Sequence, residues 1–186
     1  MDEPNPTPIS NEIPFKLRSR IAIFAVLTLL GAATDLLSKQ WVFAWQGLPQ
    51  QLPPWWLIEP YAGIETAVNQ GALFGLGQGK GWLFAILSIA ALIGIGLWLF
   101  AYQAAKSKWI TIAMGLVTGG ILGNLYDRLG IPSLPGNLRG GVRDWILFQY
   151  NGYVWPNFNI ADSLLVVGAI MLAIHSVFMG AEEKPK

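Results

Sequence analysis

The chain is predicted to be an all-α membrane protein: four transmembrane helices with a small extracytoplasmic lid that contains β-structure. Three observations carry that prediction. Of its 186 residues, 53% are hydrophobic and only 12% are charged, against roughly 25% charged residues in ordinary soluble domains. Four apolar runs, Ile21–Leu37, Trp82–Ala105, Trp109–Tyr126 and Phe158–Phe178, meet or approach the ~20 residues a helix needs to cross ~30 Å of hydrocarbon. None of the 12 prolines lies inside a run, so no helix interior loses a backbone donor.

In chain order, residues 1–20 read as a disordered cytoplasmic tail, with Pro4, Pro6, Pro8 and Pro14 ahead of any apolar run. Residues 21–179 read as one four-helix transmembrane domain. The first span, Ile21–Leu37, is the shortest and carries Asp35 at its outer end. Its basic flank and Gly31-Ala32-Ala33 also suit a cleaved secretory signal. That reading is the weaker one, because removal would leave three spans and put the C-terminus opposite the side its own charges favour. Residues 40–79 hold Pro49, Pro53, Pro54 and Pro60 and read as a structured lid on the membrane surface, with β-structure in the alternating portion Leu57–Val68. A tight turn with Lys106 and Lys108 joins the second and third spans. Residues 127–157 form a second outer loop, and 180–186 a cytoplasmic tail.

Orientation follows from the cations. Lys16, Arg18, Arg20, Lys106, Lys108, Lys184 and Lys186 gather in short segments on one side, whereas Lys39, Lys80, Arg128, Arg139 and Arg143 are spread over the long loops of the other. By the positive-inside rule both termini are cytoplasmic. Trp41, Trp45, Trp55, Trp56, Trp82, Trp145 and Trp155 fall on the outer side, where indoles favour the headgroup layer. Composition excludes several chemistries. With no cysteine there is no disulfide, thiolate metal site or cysteine nucleophile. A single histidine, His175, rules out a histidine-rich metal centre. It also lies a membrane thickness from the other polar groups, which argues against a serine–histidine hydrolase. A formal charge of +1 with no basic patch gives no sign of a nucleic-acid partner.

The polar clusters share the outer face. Asp127, Asp144 and Asp162 sit beside or between the apolar runs, where an ionised carboxylate is costly unless it has partners or a task. Asn124, Asp127 and Arg128 can share a helix face. For Asp127 a capping and ion-pair cluster with Arg128 is the slightly favoured account, while Asn124 and Arg128 suit an inward polar site. Gly115, Gly119 and Gly123 recur every fourth residue and read as a packing strip with no chemistry implied. Asn159 and Asp162 open the fourth run. The helix dipole would favour that carboxylate in any case, but the long apolar stretch after it places Asp162 just inside the hydrocarbon boundary. Asp144 lies between Gly140-Gly141 and the strand-like Trp145-Ile146-Leu147-Phe148, which would carry it back toward Asp162. Paired carboxylates at one level of a bilayer point to acid/base chemistry on a lipid-bound substrate.

These residues match a known pattern. Asp35-Leu-Leu-Ser-Lys39, Asn69-Gln-Gly71-Ala72-Leu73-Phe74, Gly119-Gly120-Ile-Leu-Gly123-Asn124-Leu-Tyr-Asp127-Arg128, Val142-Arg143-Asp144-Trp145 and Phe158-Asn159-Ile-Ala161-Asp162 occur in order. Over about Ile21–Phe178 the chain resembles the bacterial lipoprotein signal peptidase (signal peptidase II) family. The fourth motif departs, since the family usually reads Val-Val/Ile-Asp-Phe there, and the Arg128–Asp144 connection is longer than usual.

The resemblance implies an aspartic endopeptidase with Asp144 and Asp162 as its catalytic dyad. Asp35, Lys39, Asn69, Gly71, Asn124, Asp127, Arg128 and Asn159 would then support the dyad or bind substrate. It also implies a diacylglyceryl-modified prolipoprotein as substrate, cut before the lipidated cysteine, with membrane lipids as partners and no metal or other cofactor. A monomer in the bacterial inner membrane would suffice, its site near the extracytoplasmic face. The alternative from another class is a small proton-coupled carrier, since membrane carboxylates also build relays. Carriers usually place such groups near mid-membrane and often show inverted repeats, and the acids here gather at one face. A structural subunit with capped helix ends would leave that lopsided placement unexplained.

Overall fold

A computed structural model of the chain describes residues 15–71, 77–102 and 107–179. The expected tails (1–14 and 180–186), the end of the second run at 103–105, and Ala72, Leu73 and Phe74 of the second motif lie outside the described residues. Among the described residues, four helices are long and apolar enough to cross a membrane. They are α1 (Phe15–Gln46), α2 (Gly81–Gly96, continued by a π-helical turn Leu97–Ala101), α3 (Lys108–Arg128) and α4 (Ile160–Ile174, continued by a π-helical turn His175–Met179). Between them run four strands, β1 (Trp55–Ile58), β2 (Ala62–Asn69), β3 (Val142–Tyr150) and β4 (Tyr153–Phe158).

The first helix differs most from expectation. It begins at Phe15, inside the predicted tail, and ends at Gln46 rather than Leu37. Charged and polar residues at its ends hid its length, because a hydropathy boundary marks where lipid stops rather than where the helix does. At 32 residues it is about 48 Å long, against ~30 Å of hydrocarbon. Lys39 is therefore a helical residue, one turn beyond Asp35, and the lid starts only after Gln46. The last turns carry Trp41 and Trp45, which stack at 5.7 Å, and Trp45 meets Trp55 of β1 edge-on at 5.9 Å. Aromatic contact thus joins the helix to the sheet.

The two long loops are not separate features. Their strands form one antiparallel sheet in the order β1-β2-β3-β4, with β2 and β3 paired at its centre. Across that pair Ala67 faces Asp144, Val68 faces Arg143 and Asn69 faces Val142, below an irregularity between Ile64 and Ala67. A bulge there re-aims the strand that carries Asn69. The β3–β4 hairpin turns through Asn151 (φ 48°) and Gly152 (φ 78°), the positive-φ pair a two-residue hairpin needs. Pro156 has no N–H to donate and sits on β4, an edge strand. The fourth helix consequently starts at Ile160 rather than Phe158.

α3 is the central helix. Gly115 and Gly119 admit α1: a Cβ at Gly115 would lie 3.0 Å from Leu27 Cβ, and one at Gly119 would lie 3.1 Å from the Thr28 carbonyl. Gly120 faces the Ala161 carbonyl of α4, and Gly123 has the Asp35 carboxylate where a Cβ would be. Buried apolar residues Ile95, Leu99 and Met114 pack with Phe24, Val117, Ile121 and Leu172. Many other large apolar side chains, among them Leu29, Leu30, Ile86, Leu87, Val166 and Ile170, are exposed, as lipid-facing surfaces require.

Candidate active site

Asp162 is placed by the start of α4. Asn159 is the N-cap: its side chain accepts from the Asp162 backbone N–H at 2.9 Å, and Asp162 Oδ2 accepts from the Asn159 N–H at 3.2 Å. This is a capping box, so the helix-end account of Asp162 is correct as far as it goes. Its other oxygen, Oδ1, is turned to Asn124 Nδ2 at 2.8 Å. Asp162 is only partly buried.

Asp144 arrives from the opposite side, on β3, and is 3% exposed. Asn159 Nδ2 donates to its Oδ1 at 2.6 Å. One residue, Asn159, thus bonds both carboxylates, the side chain to Asp144 and the backbone to Asp162. Asn69 lies diagonally across the β2–β3 ladder on the same face, and its side chain hydrogen-bonds Asp144. Because Asn69 Oδ1 already accepts from the Gly71 N–H at 3.0 Å, its amide nitrogen is the end turned to the carboxylate. Burial pushes the Asp144 carboxyl up to about 8, with the neighbouring Asp162 charge adding to it; the Asn159 and Asn69 bonds and Lys39 act the other way.

Below the pair lies a buried ionic cluster. Lys39 Nζ contacts Asp35 Oδ2 at 2.7 Å, Asp127 Oδ2 at 3.1 Å and Asn124 Oδ1 at 2.9 Å. An ammonium can only donate. It therefore fixes the Asn124 amide with its oxygen toward Lys39 and its nitrogen toward Asp162. Asn124 Oδ1 also accepts from Asn159 Nδ2 at 3.1 Å. Asp35 accepts from the Ala161 N–H at 2.9 Å, which ties α1 to the first turn of α4.

Asp127 and Arg128 do not satisfy each other as expected. Adjacent helical residues point about 100° apart. Asp127 accordingly pairs with Lys39 and Arg143, while Arg128 reaches the Asn69 carbonyl at 3.2 Å and the Gly71 carbonyl. The structure brings together all ten residues singled out from the sequence: Asp35, Lys39, Asn69, Gly71, Asn124, Asp127, Arg128, Asp144, Asn159 and Asp162. Arg143 was missed. It is 3% exposed and holds Asp127 Oδ1 through Nε and Nη2, each at 2.9 Å. A lone cation beside an acid at the head of an apolar strand was the available signal.

Similarity to known proteins gives the family. A family model described as signal peptidase (SPase) II matches residues 27–178. A lipoprotein signal peptidase of Rhodopirellula baltica is 52% identical over 177 residues, covering 93% of this chain and 79% of that protein. One from Pseudomonas syringae pv. tomato is 39% identical over 153 residues, covering 80% and 82%. A solved structure described as a bacterial membrane enzyme, obtained by the in meso method at 2.3 Å, has TM-score 0.74 at 28% identity, over 89% of this chain and 94% of that one. The carrier alternative is not supported. The chain is an integral membrane protein and belongs to the signal peptidase II family of proteases.

Proposed function

We propose that this chain is a membrane aspartic endopeptidase that removes the signal peptide from diacylglyceryl-modified prolipoproteins, cutting before the lipidated cysteine. The relatives carry the name lipoprotein signal peptidase, and one observation supports the aspartic mechanism most directly. Two carboxylates from separate segments, one buried and one partly open, are bonded to the same asparagine.

In this reading the pair shares one proton, held on Asp144 at neutral pH. Asp144 donates to the scissile carbonyl oxygen. Asp162 takes a proton from water, whose oxygen attacks the carbonyl carbon. Collapse of the tetrahedral intermediate returns the carbonyl-oxygen proton to Asp144 and breaks the C–N bond, and the proton that Asp162 took from water passes to the leaving amine. Asn124 and Asn159 orient the carboxylates. Arg128 and Gly71 hold Asn69 in place against Asp144, and Lys39, balanced by Asp35 and Asp127, holds Asn124. The reaction uses only groups of one chain, so a monomer suffices. Both termini are cytoplasmic in this proposal, and the site lies near the extracytoplasmic face of the bacterial inner membrane.

The test is cleavage of a diacylglyceryl-modified prolipoprotein by the purified protein. Asp144→Asn and Asp162→Asn are each expected to abolish cleavage in protein that still folds. An active Asp144→Asn enzyme would refute the proposed pair. Loss of the Asp144 proton should also give the rate an alkaline limb near pH 8.

A further inference from the structure

Arg143 sits between Val142 and Asp144 on β3, where an apolar side chain would satisfy the strand. Any residue there could supply the backbone N–H that Asp127 Oδ2 accepts at 3.0 Å. Only arginine adds the fork onto Oδ1 and a buried positive charge, stacked 5.8 Å from the Phe43 ring. The Asp35, Asp127 and Lys39 side chains are fully buried. Without the guanidinium, two carboxylates would share one ammonium and leave a net negative charge in a low-dielectric site, an arrangement strongly disfavoured. With it, the cluster is balanced.

Lys39 has three donors and three partners: Asp35, Asp127 and Asn124. If Asp127 lost its guanidinium, Lys39 would be its one remaining cationic partner beside the backbone N–H of residue 143, and the bond that fixes Asn124 against Asp162 would weaken. We infer that Arg143 is a positioning residue of the peptidase site: it occupies Asp127 so that Lys39 holds Asn124, and it keeps the ionic cluster neutral beneath the two carboxylates. This inference rests on the Asp144–Asp162 reading. Among the described residues, Lys39 from α1 and Arg128 from α3 act on the pair directly, and Asp35 from α1, Asp127 from α3 and Arg143 from β3 belong to the ionic cluster joined to Lys39. Glu65 of β2 is engaged by Asn157.

The experiment measures kcat, KM and the pH profile of cleavage for the full chain and four variants. Arg143→Val should lower kcat about tenfold or more with KM changed by less than about twofold, because positioning is lost and substrate contacts are not. Removing a nearby positive charge makes ionisation of Asp144 harder, so the alkaline limb moves to higher pH. Asp127→Asn removes a negative charge and moves the limb the other way. The double variant Asp127→Asn/Arg143→Val restores neutrality and brings the limb back near its starting position. Arg143→Lys keeps the charge, leaves the limb in place and recovers most of kcat.

Unchanged kcat and limb in Arg143→Val would overturn the inference. So would equal damage by Val and Lys that tracks lost thermal stability with no shift of the limb. If Arg143→Val does not fold, Arg143→Lys and the double variant decide the matter, since both are expected to fold with the limb unmoved; a displaced limb in either would count against it. Cleavage by Asp144→Asn or Asp162→Asn would instead defeat the catalytic reading beneath.

Discussion

Asp144 is held at the expense of stability. Its carboxyl is pushed from an ordinary 3.8 to about 8, chiefly by burial and then by Asp162. Between those values the folded chain binds more protons than the unfolded one, so stability falls as pH rises across that window and levels off above it. An asparagine cannot ionise and escapes that penalty. Asp144→Asn should therefore unfold at a higher temperature than the parent while being inactive. Its advantage should grow from about pH 4 to about pH 8. Thermal unfolding in detergent across that range checks it, and a difference that shrinks with pH would contradict it. That Asp127, Asp144 and Asp162 need partners was legible in the sequence, because carboxylates beside apolar runs need a reason. The partner of Asp127 was not. Neighbours in sequence suggested Arg128, whereas the strand that delivers Arg143 comes from a loop whose path only the fold determines.

Among the elements, the glycine strip of α3 carries more than packing. Gly115 and Gly119 meet α1 as the spacing suggested, but Gly123 makes room for the Asp35 carboxylate. Gly123→Ala should displace Asp35 from Lys39, lowering cleavage about tenfold or more and cutting thermal stability by an amount typical of overpacking, about 1–3 kcal/mol. Gly94 of α2 has nothing within 4 Å of a built Cβ. Gly94→Ala should be neutral or stabilising by up to about 1 kcal/mol. Parallel assays of cleavage and thermal unfolding separate the two, and a harmless Gly123→Ala would show that the close approach does not matter. Helix number and order were readable from apolar runs of membrane length. The C-terminal end of α1 was not, because its polar last turns are stabilised by contacts with the sheet and with α3 and α4.

At the scale of the whole molecule, the orientation proposed for the chain rests on the distribution of lysine and arginine. The absence of cysteine makes a clean test available. Ser19→Cys, near the start of α1, should be shielded from a membrane-impermeant maleimide applied to intact spheroplasts and be labelled after lysis. Asn137→Cys, exposed between α3 and β3, should be labelled without lysis. The reverse pattern would invert the topology and move the site to the cytoplasmic face.

The sequence by itself determined the membrane class, the four spans and the set of polar residues at one level. Each follows from local chemistry, through runs of side chains that avoid water and carboxylates that avoid lipid. Only the tertiary structure decided that the two long loops close into one sheet, that Asn159 bonds both acids, and that Arg143 rather than Arg128 balances Asp127. Those outcomes depend on strand register and helix contact between segments far apart in the chain, and no local preference encodes which distant partner a buried charge will meet.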